Sequence, residues 1–153
     1  MREGIHRSAA KAERPSARGL SPLEETRVPI QSDHDIVTAR QRGRTLAQQL
    51  GFSNSNLTVI ATAISELARN ILLYAKKGEL TLGIIESNGR QGLSVVARDQ
   101  GPGIPDINRA MDVGYSTSGS LGLGLPGVRR LMDDFEIVSR VGKGTTVTTA
   151  KWK

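Results

Sequence analysis

Cysteine is absent from the 153 residues, and histidine occurs only at His6 and His34. Without thiols there is no disulfide framework and no thiolate metal centre, and two histidines leave little for a zinc site. Any metal the chain uses should be held by oxygen. Aromatics are scarce too: two Phe, two Tyr and one Trp. They form no stacking platform and no Lys/Arg cluster is interleaved with them, so nucleic acid is not an expected partner. No apolar run approaches the roughly 20 residues of a membrane helix. The N-terminal stretch MREGIHRSAAKAERPSARGL also lacks the apolar core of a secretory signal. A soluble, cytoplasmic chain with no membrane partner is the expectation.

The formal charge is +6, from 21 Lys+Arg against 15 Asp+Glu. Residues 1–27 carry six basic and four acidic side chains and the remainder fifteen and eleven, so the excess is spread thinly and reads as an ordinary solvated surface. The length suits one domain. Residues 1–24 are rich in Arg, Ala, Ser and Pro without periodicity and read as a flexible N-terminal extension, leaving 25–153 as the folded domain.

Along that domain TRVPIQS is a short strand. DIVTARQRGRTLAQQLG puts Ile36, Ala39, Gly43, Leu46, Ala47 and Leu50 on one helical face before a glycine stop. A second helix follows SNSN and keeps the same rhythm through Leu57, Ile60, Ala61, Ile64, Leu67, Ala68 and Ile71, to about Ala75. ELTLGIIES and GLSVVARD, joined through Asn88-Gly89, predict an antiparallel hairpin. Then come a short helix around Ile107 to Val113, a glycine-rich stretch, a helix over LPGVRRLMDD, and two closing strands, FEIVSR and TTVTTAKW. The pattern predicts an α/β fold: a two-layer sandwich of a mixed, mostly antiparallel sheet with helices on one face.

Three places carry chemistry. On the second helix Glu66 and Asn70 lie one turn apart, opposite the apolar stripe, in company with Val59, Ala63 and Leu73. A carboxylate in a partly apolar setting is costly unless it has a partner or a task; the alternative is an exposed i, i+4 pair on a solvated face. Asp99 runs from a strand into Gly101 and Gly103, where alternate glycines let backbone approach a ligand and an acid can accept from an exocyclic amine. A tight turn capped by Asp is the other reading. SGSLGLGLPGVRRL places Gly119, Gly122, Gly124 and Gly127 ahead of a helix, where free N–H groups suit phosphate oxygens. Gly122 to Gly127 satisfies GxGxxG, but without the buried strand of a dinucleotide fold, and GKGT is no Walker loop because Ile137 stands where its first glycine belongs.

Taken in order, ELARNILLYA, DQGPGI, GYSTSGSLGLGLPGVRRLMDDFEI and GKGTTV resemble the GHKL superfamily of ATP-binding domains. They are most similar to the RsbT-type switch kinases of the bacterial stressosome, over about Thr26 to Trp152. The resemblance implies a Bergerat-type ATP-binding fold using ATP and Mg2+. By it, Asn70 coordinates magnesium at the nucleotide and Glu66 is the general base or orients the attacking group. Asp99 binds the adenine amino group, with Gly101 and Gly103 giving room and Ile104 a wall. Gly122, Gly124 and a lid from Gly114 to Leu125 close over the phosphates, Gly144 and Thr145 border the adenine pocket, and Arg69 and Lys143 help neutralise phosphate.

The implied function is an ATP-dependent protein serine/threonine kinase in a partner-switching stress pathway. Its partners by this resemblance are STAS-domain antagonist and scaffold proteins and the regulatory domain of a PP2C-type phosphatase. An ATP-binding anti-sigma factor or a non-catalytic partner-binding module is the alternative. A histidine-kinase domain is disfavoured because no dimerisation helix or phosphoacceptor histidine precedes the fold, and a gyrase-like machine because no transducer domain is present.

Overall fold

The computed structural model describes residues 3–7, 22–112 and 124–153. In chain order the elements are β1 (Glu3–Arg7), β2 (Glu24–Ile30), α1 (Asp33–Leu50), α2 (Asn54–Ala75), β3 (Gly78–Ser87), β4 (Arg90–Asp99), α3 (Ile107–Ala110), α4 (Gly124–Leu131), β5 (Asp134–Arg140) and β6 (Gly144–Trp152).

Local chemistry sets most of these boundaries. The Asp35 carboxylate, in the first turn of α1, reaches back to accept from Ser32 N–H at 3.1 Å and Gln31 N–H at 2.8 Å. Such a contact satisfies donors that the first helical turn leaves over. Gly51 ends α1 in the left-handed region at φ 82°. Ser53 caps α2 by accepting from Asn56 N–H. Asn88 and Gly89, at φ 53° and 80°, both take the positive φ that a two-residue hairpin turn demands.

The strands form one sheet in the order β1-β5-β6-β4-β3-β2, and all five pairings are antiparallel. Alternate residues Leu80 and Leu82 of β3, Leu93 and Val95 of β4, Ile137 of β5 and Val147 of β6 join the apolar stripes of α1 and α2 in a single core. The α/β two-layer sandwich expected from the sequence is observed, but among the described residues its sheet is antiparallel throughout, not mixed. On the opposite sheet face Ile85, Ala150 and Trp152 form a small separate cluster.

By length and composition α2 could cross a membrane, but more than half of that window is buried inside the fold, as in the core helix of a globular domain. It is packed on several sides: α1 touches it so closely that a Cβ on Gly43 would collide with Ile64 Cδ1, and α4 lies along another side. A glycine within a helix costs about 1 kcal/mol relative to alanine, and here it permits this close approach.

One boundary differs from the expectation. Within the stretch 1–24, Glu3–Arg7 pairs with β5 from Glu3↔Arg140 to Arg7↔Glu136 and forms an edge strand, and β2 already begins at Glu24. Edge pairing of this kind rests on main-chain hydrogen bonds to a partner more than a hundred residues away, so it leaves no apolar alternation to read.

Candidate nucleotide-binding site

The two ends of the candidate site are arranged along α2. Glu66 is only 9% exposed, so it does not lie on a solvated face. Its carboxylate has two partners: Arg69 Nη1, three residues on, donates to Oε1, and Gly124 N–H, at the start of α4, donates to Oε2 at 3.3 Å. Asn70 follows one turn later and is half-buried. On the adjoining stripe of α2, Ser65 Oγ donates to Ala61 O and accepts from Arg40 Nη1 of α1 at 3.4 Å.

At the other end, β4 delivers Asp99 beside the last turn of α2. Asp99 Oδ1 accepts from Gly101 N–H at 2.9 Å, and the carboxylate also accepts from Thr145 N–H. Partial burial pushes the Asp99 carboxyl above its ordinary value, and the two backbone bonds offset part of that rise.

The neighbouring glycines make room chiefly for other chain segments. A Cβ on Gly101 would stand 2.6 Å from Ala75 Cβ. One on Gly103, at φ +78°, would stand 2.5 Å from Arg140 O, and one on Gly144 would strike the Asp99 carbonyl. The Asp99 loop is thus clamped between the end of α2 and the β5–β6 turn.

Ser139 of β5 gathers these loops, and sequence reasoning missed it. Its buried Oγ accepts from Ile104 N–H at 2.7 Å and lies 2.8 Å from Thr145 Oγ1 and 3.3 Å from Gly144 O. The signal was there: Phe135, Ile137 and Ser139 occupy the inward positions of one alternating strand, and a hydroxyl stands where an apolar side chain is expected.

The structure therefore brings Asp99, Gly101, Gly103, Ile104 and Thr145 together at the C-terminal end of α2, with Asn70 and Glu66 further back along the helix and Gly124 against Glu66. Ala75 lies nine residues beyond Glu66, roughly 13 Å at the helical rise of 1.5 Å per residue. Gly122 and the lid from Gly114, up to residue 123, lie outside the described residues. Arg69, expected at phosphate, is paired with Glu66. Lys143 is exposed in the β5–β6 turn.

Residues 55–153 match the family described as histidine kinase-, DNA gyrase B-, and HSP90-like ATPase. Among curated relatives, the serine/threonine-protein kinase RsbT of Bacillus subtilis (strain 168) is 52% identical over 129 residues, 84% of this chain and 97% of that protein. The anti-sigma F factor of Geobacillus stearothermophilus is 34% identical over 110 residues, 67% of this chain and 74% of its own length. That of Thermoanaerobacter sp. (strain X514) is 31% identical over 112 residues, 69% and 77%. The chain belongs to this ATPase family, and within it to the RsbT-type serine/threonine protein kinases.

The residues present fit ATP. A desolvated carboxylate, a hydroxyl and the partly buried, core-packed Ile104 suit an amino-bearing base. Among the described residues there is no group of three or more His, Cys, Asp or Glu that could hold a metal. A lone amide such as Asn70 suits magnesium, which keeps waters and phosphate oxygens as most of its ligands.

Proposed function

We propose that this kinase transfers the γ-phosphoryl group of ATP to a serine or threonine of a small STAS-domain antagonist, in a cytoplasmic partner-switching pathway of the stressosome kind. Afterwards it engages the regulatory domain of a PP2C-type phosphatase. The observation that carries the reading is the placement of Asp99 at the C-terminal end of α2 and of Glu66 nine residues back along the same helix from Ala75, with Gly124 at the head of α4 touching Glu66. A nucleoside triphosphate laid along α2 has its base at Asp99 and Thr145 and its terminal phosphate beside Glu66.

In the transfer, the acceptor hydroxyl oxygen forms a bond to the γ-phosphorus, the bond from that phosphorus to the β,γ-bridging oxygen breaks, and ADP leaves. The hydroxyl proton passes to the Glu66 carboxylate. Each Glu66 oxygen accepts one bond and keeps a lone pair, and the Arg69 side chain, 40% exposed, has space to turn away from Oε1 and open that oxygen to the acceptor hydroxyl. Arg69 is then free to meet phosphate charge, the kind of positioning and neutralisation on which phosphoryl transfer depends. Bound at Asn70 and the phosphates, Mg2+ supplies further charge neutralisation.

The test is incubation with γ-labelled ATP and purified STAS-domain proteins of the same organism, with the modified residue located by mass spectrometry. Label on a serine or threonine of one of them supports the reading; nucleotide bound without transfer to any protein overturns it. The anti-sigma F relatives favour a second reading, an ATP-binding protein that sequesters a sigma factor. Nucleotide-dependent capture of a purified sigma factor distinguishes it.

A further inference from the structure

We propose that Ser139 determines nucleobase specificity by fixing the hydrogen-bond polarity of the Thr145 hydroxyl. The inference rests on the reading of Asp99 and Thr145 as the base-binding end of an ATP site.

A serine hydroxyl has one proton and two lone pairs. Ser139 Oγ has three polar neighbours: Ile104 N–H at 2.7 Å, Gly144 C=O at 3.3 Å and Thr145 Oγ1 at 2.8 Å. The amide can only donate and therefore takes one lone pair. The carbonyl can only accept and therefore takes the proton. One lone pair remains, and Thr145 must donate to it. This assignment gives each of the three contacts one donor and one acceptor around a residue that is 1% exposed, where polar groups are rarely left unpaired.

With its proton directed inward to Ser139, Thr145 Oγ1 presents only lone pairs elsewhere. Thr145 stands directly opposite Asp99 in the β4–β6 register, so both side chains share one face of the sheet, and the Asp99 carboxylate is itself an acceptor. Two acceptors side by side select a base that offers an exocyclic amine. A base with a carbonyl at the same position sets acceptor against acceptor, which leaves desolvated groups unpaired. Ser139 touches no nucleotide in this account; it positions Thr145, and through Ile104 N–H it holds the wall of the pocket.

The probes are ATP and ITP, which differ at purine C6 and its neighbouring N1, compared by calorimetry on the full chain. Wild type should favour ATP. Ser139→Ala frees the Thr145 proton to point outward, so the ATP-to-ITP affinity ratio should fall by about ten-fold, the scale of one hydrogen bond. Ser139→Thr, which keeps the hydroxyl, should retain the ratio. Ser94→Ala removes a buried hydroxyl from the opposite sheet face and should lower stability with the ratio unchanged. If Ser139→Ala fails to fold, Ser139→Cys, whose thiol is a weak hydrogen-bonding group, carries the same comparison. A wild-type ratio in the alanine or cysteine variant overturns the proposal, as does a wild type that binds ATP and ITP alike. A wild type that binds neither nucleotide overturns the ATP-site reading itself.

Discussion

Glu66 and Asp99 are both carboxylates in partly apolar surroundings, yet their environments assign them different work. Glu66 is held by a guanidinium and one backbone N–H, and only the guanidinium arm is solvent-accessible enough to let go. Glu66→Gln should therefore leave ATP affinity within a few-fold of wild type and slow phosphoryl transfer by roughly 10²-fold, the scale of a lost general base. Single-turnover transfer alongside calorimetry separates the two; an undiminished transfer rate removes Glu66 from the chemistry.

Asp99 is held by two N–H groups inside a partly desolvated loop, and burial raises its carboxyl above the ordinary value. For an acid shifted in that direction the native state binds more protons than the unfolded one. The associated stability is present below the unfolded value of about 3.9 and is lost as pH rises through the higher folded value. At neutral pH the ionised group is thus a burden to the empty protein. Asp99→Asn should unfold at a temperature no lower than wild type and should bind ATP at least ten-fold more weakly, because an amide offers a donor where the adenine amine also donates. A large drop in unfolding temperature with ATP affinity retained makes Asp99 a turn-former instead. At this scale Glu66, Asn70 and Asp99 stand out in the sequence as candidates, since each is a polar residue at a position the surrounding pattern does not explain. The inward place of Ser139 on β5 was readable, but its partners were not, because its bonds to Ile104 and Thr145 exist only once the sheet has formed, whereas the Arg69–Glu66 pair, three residues apart on one helix, was open to reading and was passed over.

Between elements, the rhythm of apolar residues was enough to place α1 and α2, and Asn88-Gly89 fixed the β3–β4 register. What periodicity does not convey is distance between helices. Gly43 reads as one more small residue on the buried stripe of α1, but its missing Cβ is what lets Ile64 of α2 enter. Gly43→Ala should therefore destabilise by about 1–3 kcal/mol, an overpacking cost that outweighs the better helix propensity of alanine. Ile64→Val deletes the struck Cδ1, so the double variant should lose less than the sum of the single losses. Urea unfolding of the four proteins measures this, and additive losses contradict the contact. The β1 strand marks the opposite limit: EGIHR has no alternation of its own, and its place is given by the free edge of β5.

For the whole molecule, the question is how nucleotide state reaches a partner's surface. One oxygen of Glu66 accepts from Gly124 N–H, and Gly124 begins α4, which packs on α2 and ends with Arg129 and the exposed Arg130. Freeing or rotating that carboxylate removes a contact at the head of α4, so the surroundings of Glu66 and a basic external surface are joined by one short helix. A ligand shifts such an element only as far as it binds its two arrangements differently. For exchange of the antagonist for the phosphatase by two orders of magnitude, the difference must be about 3 kcal/mol. The expected outcome is that the unphosphorylated antagonist binds at least a hundred-fold more tightly than its phosphorylated form, and that the phosphatase regulatory domain competes for the same surface. Arg130→Glu should weaken both complexes while leaving ATP affinity unchanged, because Arg130 lies at the far end of α4 from Gly124. Surface plasmon resonance with each partner, in ATP, ADP and no nucleotide, reads all three expectations. Equal affinity for the two forms of the antagonist, with no competition from the phosphatase domain, leaves a kinase that does not switch partners.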